Sequence, residues 1–183
     1  MNKNNYIAIP IPPDILEWAI KIAQLLDEEN EGSNTMDGGK EKNVKGSLGQ
    51  WAIAQWLSAN NWLHDYSQPY IPKQYGDPYD LFVNGIDIWD VKCRDWLDTI
   101  DKYGSILMGE NEQKSTKKCD YYMFCTPDRE YKNIYIIGGI TKSGLWNNII
   151  EISEKVQERL LYRAAGKIWV SRLKPIHHII THT

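Results

Sequence analysis

The sequence has few cysteines and no long hydrophobic run. Its three cysteines, Cys93, Cys119 and Cys125, are an odd number and contain no C-x-x-C pair. Without a signal peptide, this usage is typical of reduced thiols in the cytoplasm. The longest apolar stretch, residues 134–140, includes two glycines and is far too short to span a bilayer. We therefore expect a cytoplasmic protein that does not associate with membranes.

The chain also lacks an excess of positive charge, since its formal net charge is -3. Proteins that bind nucleic acid are more often basic, because neutralising phosphates supplies most of their non-specific affinity. The net charge therefore argues weakly against DNA binding, although positive charge can be local. The signatures of a glycine-rich phosphate loop, a nucleophile elbow and a zinc site are missing as well.

In the chain of 183 residues, the spacing of hydrophobic residues predicts two helices in the N-terminal part. The first covers residues 14–30, and its opening aspartate forms a capping box with Glu17. The second covers residues 47–60, and its opening serine forms the same box with Gln50. Between them, the polar and glycine-rich residues 30–45 predict a flexible loop.

Alternating apolar residues and turn signals predict strands in the rest of the chain. The predicted elements are strands at residues 79–83, 86–93, 120–125 and 133–137, a turn at 126–128, a helix at 143–162 and a last strand at 167–170. Two helices, a mostly antiparallel sheet and a further helix and strand predict a layered α/β or α+β domain.

The most informative segment is residues 80–92, which reads D-L-F-V-N-G-I-D-I-W-D-V-K. Its Asn-Gly pair predicts a hairpin turn between two strands. Because side chains alternate along a strand, Asp90 and Lys92 lie on one face of the second strand. Asp87 points to the opposite face, which makes it a poor partner for Asp90.

The hairpin register decides whether Asp80 joins Asp90. In a two-residue loop, Asp80 would pair with Trp89 and face away from Asp90. In a three-residue loop made of residues 83–85, Asp80 would pair with Ile88 and lie diagonal to Asp90, roughly 7–8 Å away. Carboxylates at that spacing can converge on one cation, so a metal site requires this looser turn or a bulge.

Two carboxylates and a lysine in one cleft can hold Mg²⁺ and activate a water against a phosphodiester. Mg²⁺ prefers oxygen ligands and is usually held by one or two carboxylates together with waters and substrate phosphate. It polarises the phosphoryl oxygen and lowers the pKa of its water, while a lysine stabilises developing charge. A D-x-K tripeptide alone is usually a surface pair, but Asp80 before an Asn-Gly turn favours the catalytic interpretation.

This pattern resembles the PD-(D/E)xK nuclease superfamily, which has the restriction-endonuclease-like fold. The matching residues are Asp80, Asp90 and Lys92, and the helix K-G-S-L-G-Q-W-A-I-A-Q-W-L resembles the first core helix of the family. The resemblance covers residues 45–176 and implies a mixed sheet flanked by helices. It predicts a single nuclease-like domain over residues 1–183, in which residues 1–44 form an N-terminal helix and a flexible loop.

The resemblance further implies a Mg²⁺-dependent DNA endonuclease, with Mn²⁺ as a substitute ion. Asp80, Asp90 and the backbone carbonyl of Val91 would hold the metal, and Lys92 would assist the attacking water. Members of the family often act as homodimers or higher oligomers, so that two sites reach two strands. The residues expected to contact DNA or to support the site are Gln113, Lys114, Lys117 and Lys118.

Gln50 departs from the family, in which a glutamate at this position faces the metal site. An amide is a weaker ligand, so a catalytic role for Gln50 favours one-metal chemistry, and its helix-capping role is an equal alternative. The departure and the acidic net charge support a second hypothesis, in which a catalytically weak or inactive nuclease-fold module binds nucleic acid or a protein partner. RNA as the substrate is a third.

Overall fold

The computed structural model of the chain describes residues 6–30, 39–66, 79–93, 95–109, 119–148, 150–151 and 164–180. The helices are α1 (Pro13–Asn30), α2 (Gly39–Ala59), α3 (Leu97–Tyr103), α4 (Lys142–Asn148) and α5 (Ile176–Ile180), with a 3₁₀ turn at Val170–Arg172. The strands are β1 (Ile7–Pro10), β2 (His64–Tyr66), β3 (Leu81–Val83), β4 (Asp87–Cys93), β5 (Ser105–Gly109), β6 (Tyr121–Pro127), β7 (Asn133–Thr141), β8 (Ile150–Glu151) and β9 (Ala164–Trp169). No helix in these ranges is long and apolar enough to cross a membrane.

Six strands form the main sheet in the order β1-β7-β6-β4-β3-β2. β4 and β6 run parallel, and the other strand pairs described in this sheet are antiparallel. A parallel pair requires a crossover connection, and the one between β4 and β6 contains α3 and β5. β5, β9 and β8 form a second sheet of three strands. This mixed, helix-flanked architecture confirms the predicted layered fold class.

The two faces of the main sheet carry separate hydrophobic clusters. On one face, apolar residues of α1, α2 and α5 pack on Trp89, Val91 and Cys93 of β4. On the other face, Tyr122 and Phe124 of β6 pack with residues from α3, β5, α4 and the 3₁₀ turn. Successive side chains of a strand point to opposite faces, so Asp90 and Lys92, which alternate with these three residues in β4, point away from that cluster.

Glycine allows α2 to lie against β4. A Cβ atom on Gly49 would lie 2.8 Å from Cys93 Cβ and 3.3 Å from Val91 Cγ1. Such distances leave no room for a side chain, so the backbone of α2 contacts the side chains of β4 directly. The next residue, Gln50, is thereby carried to the place where the β3–β4 hairpin opens.

The predicted boundaries of the first two helices need correction. α1 starts at Pro13, since proline is well suited to the first helical position, and its aspartate therefore lies inside the first turn. α2 starts at Gly39, so the capping box of Ser47 and Gln50 is wrong and residues 39–45 are helical rather than loop. An ion pair of 3.0 Å between Lys45 and Glu41 supports the added turns. Residues 31–38 lie outside the described part of the chain.

The helix predicted at 143–162 forms over residues 143–148 but does not continue through residues 150–151. α4 ends at Asn148, and Ile150–Glu151 then forms β8, which pairs with β9. Residues 152–163 lie outside the described ranges. The last strand is residues 164–169 rather than 167–170. The spacing of apolar residues does not reveal that β9 offers hydrogen-bond partners to residues 150–151. The sequence therefore predicted a helix where β8 forms.

The predicted turn at 126–128 belongs largely to β6, which continues through Pro127. The chain turns instead at residues 128–132. There the carboxylate of Asp128 accepts hydrogen bonds from the backbone N–H groups of Lys132, at 2.8 Å, and Asn133, at 3.0 Å. Aspartate commonly stabilises a turn in this way.

Gly49→Ala is expected to lower the free energy of unfolding by about 1–3 kcal/mol, because the added methyl group separates α2 from β4. Gly46→Ala is the matched control in the same helix, since nothing lies within 4 Å of the added Cβ atom. It should raise the free energy of unfolding by roughly 0.5–1 kcal/mol. Urea denaturation measures both, and equal stability of the two variants would contradict the close packing of α2 on β4.

Candidate functional site

The β3–β4 hairpin forms as expected but in neither of the two predicted registers. Leu81 pairs with Trp89 and Val83 pairs with Asp87, so the loop consists of residues 84–86. Asn84 and its glycine neighbour have φ values of 54° and 69°, as in the turns that favour Asn-Gly. The N–H of Asn84 donates to the carbonyl of the residue before β2 at 2.8 Å, which ties the loop to the neighbouring strand.

The observed register brings Asp80 level with Asp90. Counting one residue back from the Leu81–Trp89 pair places Asp80 beside Asp90, rather than opposite Trp89 or Ile88 as predicted. β3 begins at Leu81, and Asp80 lies in the bend just before it. The register therefore sets the level of Asp80 along β4, and its side-chain contacts set the direction of its carboxylate.

The Asp80 carboxylate has a fixed position. Its Oδ2 accepts a hydrogen bond of 2.6 Å from the N–H of Val91, and its Oδ1 accepts one of 3.0 Å from Gln50 Nε2. The residue is only 5% exposed. Because the N–H and C=O of a strand residue point to the same side, the carbonyl of Val91 also faces the Asp80 side of β4.

Asp90 and Lys92 lie on one face of β4, as the alternation of side chains predicted. Lys92 Nζ lies 2.8 Å from Asp90 Oδ2, Asp90 is 2% exposed, and the Lys92 side chain is 15% exposed. Asp80 lies level with Asp90 on the other side of the hairpin. Burying an excess of negative charge is costly unless a cation or hydrogen-bond donors compensate for it.

Gln50 extends from α2 to Asp80, and its side chain does not cap the helix. Its Nε2 donates to Asp80, as described above, whereas its Oε1 is buried and has no hydrogen-bond partner among the described residues. An amide oxygen is an acceptor with two lone pairs. The site therefore contains a buried acceptor that a water molecule or a cation can satisfy.

Tyr66 is a neighbour of the site that the sequence analysis did not find. It pairs with Leu81 across β2 and β3, next to Asp80, and its hydroxyl is buried without a hydrogen-bond partner in the described ranges. Burial and, second, the negative charge of Asp80 raise the pKa of Tyr66 well above its usual range. A strand of three residues is too short for alternation to reveal it, so the sequence contained no usable signal.

The remaining candidates lie elsewhere or outside the described residues. Asp87 is on the opposite face of β4 from Asp90, as predicted, and burial and its neighbour Asp120 raise its pKa. The four residues predicted to contact DNA or to support the site fall outside the described ranges, namely Gln113, Lys114, Lys117 and Lys118.

The donor set of the site is small. Within the described ranges, no three or more His, Cys, Asp or Glu side chains gather into a group that could hold a metal ion. Asp80 and Asp90 supply two carboxylates, and Gln50 and Val91 supply neutral oxygens. Mg²⁺ is commonly bound by one or two carboxylates with several waters retained, so this set suits one hydrated Mg²⁺ better than an ion enclosed by protein.

Comparison of the chain with protein-family models, with curated protein sequences and with solved structures gives no significant match.

Tyr66 makes the stability of the protein sensitive to alkaline pH. A tyrosine in an unfolded chain loses its proton near pH 10. Because the pKa of Tyr66 is raised in the folded protein, the unfolded chain releases this proton first, and stability falls as pH rises above about 10. Between about pH 9 and 11, the free energy of unfolding should fall less in Tyr66→Phe than in the unchanged protein. Urea denaturation across this range measures the effect, and identical pH profiles would contradict a buried hydroxyl.

Proposed function

We propose that this protein is a metal-dependent deoxyribonuclease, an endonuclease that uses Mg²⁺ to hydrolyse phosphodiester bonds in DNA. The observation that carries the proposal is that two buried carboxylates, Asp80 and Asp90, lie level with each other across the hairpin, with Lys92 paired to Asp90. Surface ion pairs contribute little to stability but leave both charges in water. Buried carboxylates at neighbouring positions, one of them paired with a lysine, are more typical of a functional site.

The residues present fit one hydrated Mg²⁺ or Mn²⁺ ion. Asp80 and Asp90 would hold it, with the carbonyl of Val91 as a third ligand. The two carboxylates exceed the single positive charge of Lys92, so a cation offsets the remaining charge. Gln50 Oε1, which lacks a partner in the described part of the chain, can accept a hydrogen bond from a water of the hydrated ion. When bound, the ion polarises a phosphoryl oxygen and lowers the pKa of water.

The protein groups have distinct tasks in this proposal. The Lys92 ammonium donates a hydrogen bond to the attacking water or to a phosphate oxygen and stabilises negative charge in the transition state. The N–H of Val91 and the amide of Gln50 hold both oxygens of Asp80. Since both oxygens are already held in one orientation, little reorganisation is required when the substrate binds.

The order of the elements supports membership of the PD-(D/E)xK superfamily. α2, the β3–β4 hairpin, α3 and the parallel strand β6 follow one another as helix, hairpin, helix and strand. The corresponding partner is DNA, and a homodimer would let two sites reach the two strands. The three cysteines, Cys93, Cys119 and Cys125, are buried and form no disulfide, which supports a reducing, cytoplasmic location.

One observation favours the second candidate function, a catalytically weak or inactive module that binds nucleic acid or a protein. Gln50 places an amide where a third carboxylate would strengthen metal binding. Isothermal titration with Mg²⁺ or Mn²⁺ separates the two functions. Binding that is lost in Asp80→Ala supports the enzyme, and the absence of binding by the unchanged protein supports the module.

Asp90→Asn is expected to reduce Mg²⁺-dependent plasmid cleavage by roughly 100-fold or more, because it removes the charge that faces both Lys92 and the ion. Asp87→Asn is the matched control, since the same change is made in the same strand on the opposite face. Its cleavage rate should stay within about twofold of the unchanged protein, because its side chain points to the opposite face of β4 from Asp90. Gel assays of relaxed and linear plasmid measure both rates, and equal cleavage by the Asp90 variant would refute the assignment.

Gln50→Glu is expected to tighten Mn²⁺ binding by about tenfold or more, since a third carboxylate adds Coulomb attraction in a poorly solvated site. Gln55→Glu is the control, because Gln55 is exposed on the same helix. The two variants have the same net charge, so calorimetry isolates the effect of position. Equal affinities would show that Gln50 does not face the ion.

A further inference from the structure

Two buried polar atoms beside Asp80 have complementary hydrogen-bonding character. The hydroxyl of Tyr66 is a donor, and Gln50 Oε1 is an acceptor only. Neither has a hydrogen-bond partner within the described residues. A buried polar atom without a partner destabilises the folded protein, and few such atoms occur in native proteins. Two of them at one carboxylate therefore call for a common explanation.

The fold brings both atoms to the same carboxylate. Tyr66 lies opposite Leu81, the residue that follows Asp80, and packs with the cluster on the α2 face of the sheet. Gln50 extends from α2 and contacts Asp80 Oδ1 through its nitrogen at 3.0 Å. α2 is in contact with β2, so the two side chains approach Asp80 from adjoining elements.

The hydroxyl of Tyr66 remains a donor at neutral pH. Burial and the charge of Asp80 both raise its pKa, so the phenol keeps its proton. A neutral phenol beside a carboxylate can therefore donate to a water molecule but cannot supply a negative charge to an ion. Buried waters typically make about three hydrogen bonds to groups that otherwise lack partners.

We propose that Tyr66 is a positioning residue of the nuclease site, whose hydroxyl and Gln50 Oε1 together hold one water molecule beside Asp80. The Tyr66 hydroxyl donates to the water, and the water donates to Gln50 Oε1. This arrangement orients the Gln50 amide, with its oxygen toward Tyr66 and its nitrogen toward Asp80. The role of Tyr66 in catalysis rests on the proposed nuclease function. Its role in orienting the Gln50 amide does not depend on that function.

Steady-state cleavage tests the catalytic part. Tyr66→Phe keeps the packed ring and removes only the hydroxyl. The loss of one hydrogen bond should lower kcat by roughly three- to tenfold. KM for DNA should stay within about twofold, because the buried hydroxyl does not touch DNA. Tyr135→Phe is the matched control on β7, with the same chemical change remote from Asp80. A Tyr66→Phe enzyme with unchanged kcat would overturn the catalytic role.

A double-mutant cycle shows whether Tyr66 acts through Gln50. In a Gln50→Met background, which lacks the amide, Tyr66→Phe should cause no further fall in kcat. Fully additive losses would mean that Tyr66 acts independently of Gln50 and would overturn the shared water.

The side-chain amide signals of Gln50 in a nitrogen-proton NMR spectrum give a test that is independent of activity. Gln50→Met identifies these signals by their disappearance. Tyr66→Phe should shift or broaden them, and Tyr135→Phe should leave them unchanged. Unchanged signals in Tyr66→Phe would refute the positioning role. If the unchanged protein fails to cleave DNA with Mg²⁺, the nuclease function fails, and the amide signals alone decide whether Tyr66 holds Gln50.

Discussion

The hydrogen bond from the N–H of Val91 to the carboxylate of Asp80 is the contact on which the candidate site depends. β3 begins at Leu81, so its backbone does not extend far enough along β4 to pair with Val91. A buried N–H requires an acceptor, and Asp80 supplies one at 2.6 Å. The same bond holds the Asp80 carboxylate against the backbone of the residue that follows Asp90. One hydrogen bond thus satisfies the open edge of β4 and fixes the position of the Asp80 carboxylate.

Two separate elements compensate for the buried charge of the site. β4 supplies the N–H of Val91 and the ammonium of Lys92, and α2 supplies the amide of Gln50. Gln50 reaches Asp80 only because Gly49 lets the α2 backbone approach β4 closely. Apolar residues at these positions would fold at lower cost, since buried charges rarely stabilise a protein. Their presence is best explained by a chemical task, which agrees with the proposed hydrolysis of phosphodiesters.

Much of the fold was predictable because the signals for it are local. The layered class, the first helix and the β3–β4 hairpin follow from apolar spacing and from Asn-Gly as a turn. The errors occurred where pairing with a distant segment outweighed local spacing. Residues 150–151 fit a helical pattern, yet they pair with β9. Residues 39–45 have a loop-like composition, yet they extend α2, in which Val44 is buried.

The sequence by itself determined that Asp90 and Lys92 share a face and that Asp87 does not, because alternation is a property of any extended strand. Only the tertiary structure decided the position of Asp80. The positive φ angles next to β3 and the bond from Asn84 to the segment before β2 set a register that local spacing left open. The approach of Gln50 and Tyr66 to Asp80 was likewise decided by packing. Contacts between segments far apart in the chain depend on how helices and sheets fit together, which residue spacing does not encode.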